Sequence, residues 1–135
     1  MSNECIFCKI VKKEIPAYVL YEDDEIMVFL DINPVSHGHA IYIPKQHYAD
    51  LFQIPENEMN FIRKLPVIAN KLKEVTKATG MNLIQNNGVD AGQAISHFHI
   101  HLIPRFTNDN LFKFPPQNKL DSEEAEQIVK KFSEL

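Results

Sequence analysis

The segment His97-Phe98-His99-Ile100-His101-Leu102-Ile103 holds half of the chain's six histidines at every second position, with apolar residues between them. In an extended strand, residues i, i+2 and i+4 share a face, so the three imidazoles line up while Phe98, Ile100 and Leu102 point the other way. Adjacent imidazoles on such a face stand ~6.5–7 Å apart, close enough for a phosphate-sized group to touch two of them. Two chemistries suit the row. A neutral imidazole nitrogen keeps a lone pair near pH 7 and can attack phosphorus while its neighbours donate hydrogen bonds to phosphoryl oxygens. Alternatively, three histidines can converge on a zinc ion whose bound water attacks. The plain reading is a solvated strand face rich in histidine.

Two further groupings bear on this choice. Upstream, the loop Asn86-Asn87-Gly88-Val89-Asp90-Ala91-Gly92-Gln93 combines amide side chains with two glycines, which let backbone N–H groups approach an anion closely. At the other end, Cys5 and Cys8 have the C-x2-C spacing of a zinc half-site, and the chain has no further cysteine. A tetrahedral site would have to borrow histidines; without a metal, the two are a reduced pair packed beneath the sheet.

The elements that must position these residues can be read from pattern. Strand-like runs span Tyr18 to Glu22, Ile26 to Ile32, His39 to Pro44, Met81 to Gln85 and His97 to Pro104, separated by turn-forming stretches. They predict an antiparallel meander of about five strands, the last two forming a hairpin. Between the third and fourth, Ile62, Leu65, Ala69, Leu72 and Val75 recur at helical spacing, which predicts one long covering helix from Pro55 to Gly80, kinked at Pro66. A short helix from near Cys5 toward Lys12 and a C-terminal helix from Asp121 to Phe132 complete an α+β fold. With 135 residues the chain is expected to be one domain over 1–135, with a core at 5–105 and an extension at 106–135.

Composition narrows the function classes. A net charge of −4 argues against a nucleic-acid coat. No apolar run approaches the ~20 residues that span a bilayer, and the first residues lack a signal-peptide pattern. A cytoplasmic location without membrane attachment is expected.

Taken together, these residues closely resemble the histidine triad (HIT) family, whose signature of three histidines alternating with apolar residues reads HFHIHLI here. The resemblance extends through IFCKIVKKEIPAYVLYEDDEIMVFLDINP, GHAIYIPKQH and NNGVDAGQ, most of residues 5 to 105, and looks most like the nucleoside phosphoramidate hydrolase branch. It implies a nucleotidyl hydrolase or transferase acting on purine nucleoside 5′-monophosphate derivatives, such as AMP phosphoramidates or adenylylated compounds. By position, His99 is the nucleophile that forms a covalent nucleotidyl-histidine, His101 contacts phosphate oxygens and His39 is the fourth active-site histidine. Asp31 matches the ribose-hydroxyl acceptor, and Phe7, Ile10, Phe29 and Ile32 match the walls around the base, positions that core packing alone would also explain. Asn86, Gly92 and Gln93 match phosphate or leaving-group contacts. Ala94 departs from the Ser or Thr that related enzymes often carry. The resemblance also implies a structural zinc on Cys5, Cys8, His47 and His97, no catalytic metal at the phosphate, and a homodimer. Alternatives are a dinucleoside polyphosphate hydrolase, a nucleotide-binding or scaffold protein with little turnover, and, last, a zinc hydrolase with a three-histidine catalytic site.

Overall fold

The computed structural model describes residues 4–135. Five antiparallel strands form one sheet: β1 (Val19–Glu22), β2 (Ile26–Leu30), β3 (Ala40–Pro44), β4 (Gly80–Ile84) and β5 (Ile100–Arg105). Their order is β1-β2-β3-β5-β4. The first three strands form the expected meander, and β4 and β5 pair as expected. The sheet leaves a strict meander at one point: the chain crosses to the far edge for β4 and returns through β5, which pairs Ile41 with His101 and Tyr42 with Ile100. The long connection between β3 and β4 permits this crossing, and it puts the histidine segment mid-sheet beside β3.

Both faces of the sheet are covered, so β2 and β3 are apolar throughout their lengths. One face packs Ile26, Val28, Tyr42, Phe98, Ile100 and Leu102 against Phe61, Ile68 and Leu72. The other packs Met27, Phe29, Ile41 and Ile43 against Phe7, Cys8 and Ile10 of α1 (Ile6–Val11). The alternation in HFHIHLI is therefore real, but its second face is buried too.

The covering helix is two pieces. Glu56–Lys64 is 3-10, and α2 runs Leu65–Thr76. Pro66 starts α2 instead of kinking a longer helix, because proline's missing N–H costs nothing in a first turn. The change from 3.0 to 3.6 residues per turn rephases the buried stripe. It runs through Phe61, Ile68, Leu72 and Thr76, and Val75, expected inside, is 74% exposed. The helix ends at Lys77 in a left-handed conformation, and Gly80 begins β4.

Before β3, Gly38 has φ +83, and a Cβ there would lie 2.4 Å from Thr76 Cγ2. Only glycine lets the chain pass α2 this closely and turn His39 into the sheet. After β5, residues 106–121 form no helix or strand. They lead to α3 (Ser122–Ser133), capped by Asp121, whose carboxylate accepts the Glu124 N–H at 3.0 Å, and none of its residues is buried.

Candidate functional site

Two imidazole systems occupy the face of β5 that turns toward α1. His97 and His99 precede β5 proper, because their backbone bonds sideways: His97 N–H donates to the Ile95 carbonyl at 2.9 Å and Phe98 N–H to the Tyr48 carbonyl at 2.7 Å. The side-chain alternation nonetheless continues through them, with Phe98 in one core and both histidines buried on the other side.

Hydrogen bonding sets each tautomer. His99 Nδ1–H donates to the main-chain carbonyl of His97 at 2.7 Å, which leaves the lone pair on Nε2. His39 Nδ1 accepts the Val35 N–H at 3.1 Å, so its proton sits on Nε2 and is donated to His101 Nδ1 at 3.0 Å. His101 in turn carries its proton on Nε2. Asp31 Oδ2 lies 3.5 Å from His39 Nε2, and its other oxygen accepts the Asn33 N–H at 2.8 Å. Burial holds all three rings neutral: it pushes His101 down to about 4, helped by the adjacent His99 and His39, and lowers His99 and His39.

His99 and His101 line a cleft of about 400 Å³. Phe7, Ile10, Phe29 and Ile41 wall it, Asp31, Ile32 and Asn33 follow β2, and Gly92, Ala94 and Ile95 lie upstream of the histidines. Phe7 meets His99 edge to face, ring centroids 5.1 Å apart, and Phe29 at 5.5 Å. A planar apolar wall beside convergent imidazoles suits a heteroaromatic group carrying a phosphate.

Across the strand, Cys5, Cys8, His47 and His97 bring four donor atoms within 4.8 Å of one another. His97 Nε2–H donates to the Pro44 carbonyl at 2.9 Å, so its Nδ1 lone pair faces the cluster. That nitrogen lies 3.4 Å from Cys5 Sγ, 3.6 Å from Cys8 Sγ and 3.2 Å from His47 Nδ1, while Cys8 Sγ lies 3.2 Å from His47 Nδ1. A tetrahedron with bonds of ~2.0–2.3 Å has edges of roughly 3.3–3.8 Å, so the cluster is close to the size a metal requires. Burial, together with Cys5, pushes the Cys8 thiol up to about 11, and burial lowers His97 to about 4. Three buried donors and the half-buried His47 could hold a metal ion.

The model of the HIT domain matches residues 12–108. The chain belongs to the histidine triad family. Among its HIT relatives, adenylylsulfatase HINT3 of Arabidopsis thaliana is 43% identical over 134 residues, covering 96% of this chain and 68% of that one. Adenosine 5′-monophosphoramidase HNT1 of Saccharomyces cerevisiae is 46% identical over 105 residues, covering 78% of this chain and 65% of that one. A solved structure from Streptococcus mutans superposes with a TM-score of 0.94 at 36% identity, covering 99% of this chain and 86% of the other. The histidine triad nucleotide-binding protein from Candida albicans gives 0.83 at 36%, covering 97% and 96%.

Within this HIT site, the positions singled out in the sequence separate into three groups. His99, His101, Asp31, Ile32, Phe7, Ile10, Phe29 and Gly92 line the cleft, although Ile32 is 80% exposed. His39 stands behind His101. Asn86 and Gln93 are not among the cleft-lining residues. Asn86 lies under Gly92, its Nδ2 3.8 Å from where a Cβ would be. The Gln93 amide donates to the Ala49 and Ile95 carbonyls at 2.7 and 3.0 Å and accepts the Gly88 N–H at 2.8 Å, so it braces the loop. Sequence reading missed Val35 and Pro44, whose backbone groups set tautomers. A main-chain contact leaves no side-chain signal.

Proposed function

We propose that this chain hydrolyses or transfers the nucleotidyl group of purine nucleoside 5′-monophosphate derivatives, AMP phosphoramidates or other adenylylated compounds, through a nucleotidyl-histidine on His99. The observation that carries this reading is the Nδ1–H of His99 donated to the His97 carbonyl at 2.7 Å, which leaves a neutral Nε2 lone pair on a ring that lines the cleft. The printed activities of the Arabidopsis and yeast relatives, adenylylsulfatase and adenosine 5′-monophosphoramidase, support it.

In the first step His99 Nε2 forms a bond to the α-phosphorus as the bond to the leaving group breaks. The leaving group departs with the electron pair, an amine taking its proton from water. The His97 carbonyl then faces an Nδ1–H on a cationic ring and stabilises it. His101 Nε2–H donates to a phosphoryl oxygen, held there by His39. Water next attacks phosphorus, loses a proton and releases AMP with His99 neutral again. Phe7, Ile10, Phe29 and Ile32 hold the base, Asp31 accepts from ribose hydroxyls, and the Gly92 backbone, placed by Asn86 and Gln93, approaches the phosphate.

We assign zinc to Cys5, Cys8, His47 and His97. When bound, it supplies a closed, four-ligand brace, because the protein fills every coordination position. The set suits a reducing, cytoplasmic compartment, and no described helix is long and apolar enough to cross a membrane. Residues 1–135 act as one domain, and two copies pair through the edge strand β4, on which Leu83 is exposed.

Incubation with AMP amidate releases AMP without added metal and traps adenylate on His99 after an alkaline, denaturing quench. His99→Ala lowers release by at least about a thousandfold while retaining AMP binding. Persistent turnover in that variant rejects the nucleophile assignment, and binding without turnover on any adenylylated substrate makes the chain a scaffold.

A further inference from the structure

The donor cluster is tied to the cleft through two of its own ligands. From His97 the tie is direct, since its carbonyl accepts the Nδ1–H of His99 at 2.7 Å. From His47 it runs along the residues that follow. The Tyr48 carbonyl accepts the Phe98 N–H at 2.7 Å, between the two buried histidines. The Ala49 carbonyl accepts the Gln93 side-chain amide at 2.7 Å, and the Leu51 N–H donates to Asn87 Oδ1 at 2.8 Å. Residues 48–51 thus hold both the histidine segment and the loop that carries Gly92.

The other two donors can be oxidised, which an imidazole resists. Cys5 and Cys8 are free thiols. Cys5 precedes α1 and Cys8 is its third residue; the Cys8 N–H donates to Cys5 Sγ at 3.3 Å, and the two sulfurs lie within 4.8 Å of each other. C-x2-C across the start of a helix is a spacing that dithiols bridge and reopen. Burial does not seal the pair. Cys5 and His47 line a cavity of about 390 Å³ whose wall includes the exposed Ile6 and Ser96, so it opens to solvent. A molecule little larger than water reaches Cys5 Sγ through it.

We propose that Cys5 and Cys8 form an oxidation site: a hydroperoxide converts them to a disulfide, the cluster gives up its metal, and His47 and His97 lose the anchor through which they place the loop and the nucleophile. The inference rests on the zinc assignment, and its effect on turnover rests on nucleotidyl transfer to His99. Cys5 sulfur attacks a peroxide oxygen; the S–O bond forms, the O–O bond breaks and hydroxide leaves. Cys8 sulfur then attacks Cys5 sulfur, the S–S bond forms and the S–O bond breaks, releasing a second hydroxide. Two thiolates and one hydrogen peroxide, with two protons from solvent, give a disulfide and two waters; sulfur is oxidised and peroxide oxygen reduced. A disulfide offers no thiolate, so two histidines remain of a closed four-ligand set.

The test treats zinc-loaded protein with hydrogen peroxide and follows released zinc with a chromophoric chelator, polypeptide mass, and AMP release from AMP amidate. One zinc per chain leaves, the peptide holding Cys5 and Cys8 loses the mass of two hydrogens, and kcat/KM falls by at least about tenfold. Dithiothreitol with added zinc restores all three, a recovery that methionine oxidation would not permit. Cys5→Asp, with a fourth donor but no second sulfur, keeps zinc and activity in peroxide; where this variant does not fold, loss and recovery in wild type decide alone. Zinc retained through the treatment overturns the proposal. So does sulfinic acid in place of the disulfide, or zinc loss with AMP release unchanged. Less than about half an equivalent of zinc before peroxide is added overturns the zinc assignment and this inference with it. A reduced, zinc-loaded protein that releases no AMP overturns nucleotidyl transfer alone, and the zinc and disulfide readouts still decide the oxidation site.

Discussion

The carbonyl of His97 accepts the Nδ1–H of His99 at 2.7 Å, while the His97 side chain turns its own Nδ1 to Cys5, Cys8 and His47. One residue thus joins the donor cluster to the tautomer of its neighbour. Whatever holds His97 holds the lone pair of His99.

This coupling makes the cluster testable apart from catalysis. We predict one zinc per chain in the purified protein, and loss of the metal and of about 2–4 kcal/mol of stability in Cys8→Ser. Less than about half an equivalent of zinc in wild type, with an unaltered melting temperature in the variant, contradicts the assignment.

The chain Val35 N–H, His39, His101 fixes the direction of one donor. His101→Phe lowers kcat on AMP amidate by about a hundredfold, the usual effect of deleting one donor to a developing oxyanion. His39→Phe falls between this variant and wild type, since His101 remains but its tautomer is released. Steady-state kinetics of the two decide the order; a larger effect at His39 than at His101 reverses their roles.

Burial lowers His101 to about 4 and His39 below its ordinary value, whereas in the unfolded chain both titrate near about 6.5. Between these values the unfolded state binds more protons, so their contribution to stability is complete above about pH 6.5 and is lost as pH falls toward about 4. Urea midpoints measured from pH 7.5 to 4.5 decline, and the decline is shallower in His101→Phe. A flat profile in wild type removes buried neutral histidine as the cause.

Gly38 offers a purely steric check. A methyl group at its Cα would stand 2.4 Å from Thr76 Cγ2 on a backbone with φ +83, so Gly38→Ala costs about 2 kcal/mol or more. Thr76→Ser in the same background removes the struck methyl group and restores part of the loss. Equal melting temperatures for wild type and Gly38→Ala would show that the turn relaxes freely.

The pattern of residues alone determined a good deal. Alternation in HFHIHLI put three imidazoles on one face, C-x2-C marked half of a donor set, and capping at Asp121 located α3 to within a residue, because each signal lies within a few positions of chain. Tertiary structure decided what no local pattern encodes. It split the covering helix at Pro66 and rephased its buried stripe away from Val75, because turn geometry changes there. It placed β5 between β3 and β4, since strand order depends on long-range packing. It also set where three equivalent-looking histidines carry their protons, Nε2 on His97 and His101 and Nδ1 on His99. The Pro44 carbonyl turns His97 toward the cysteines, the His97 carbonyl leaves His99 a free lone pair, and His39 makes His101 a donor. Those assignments belong to hydrogen-bond partners up to 62 residues distant in sequence, brought within about 3 Å only by the folded sheet.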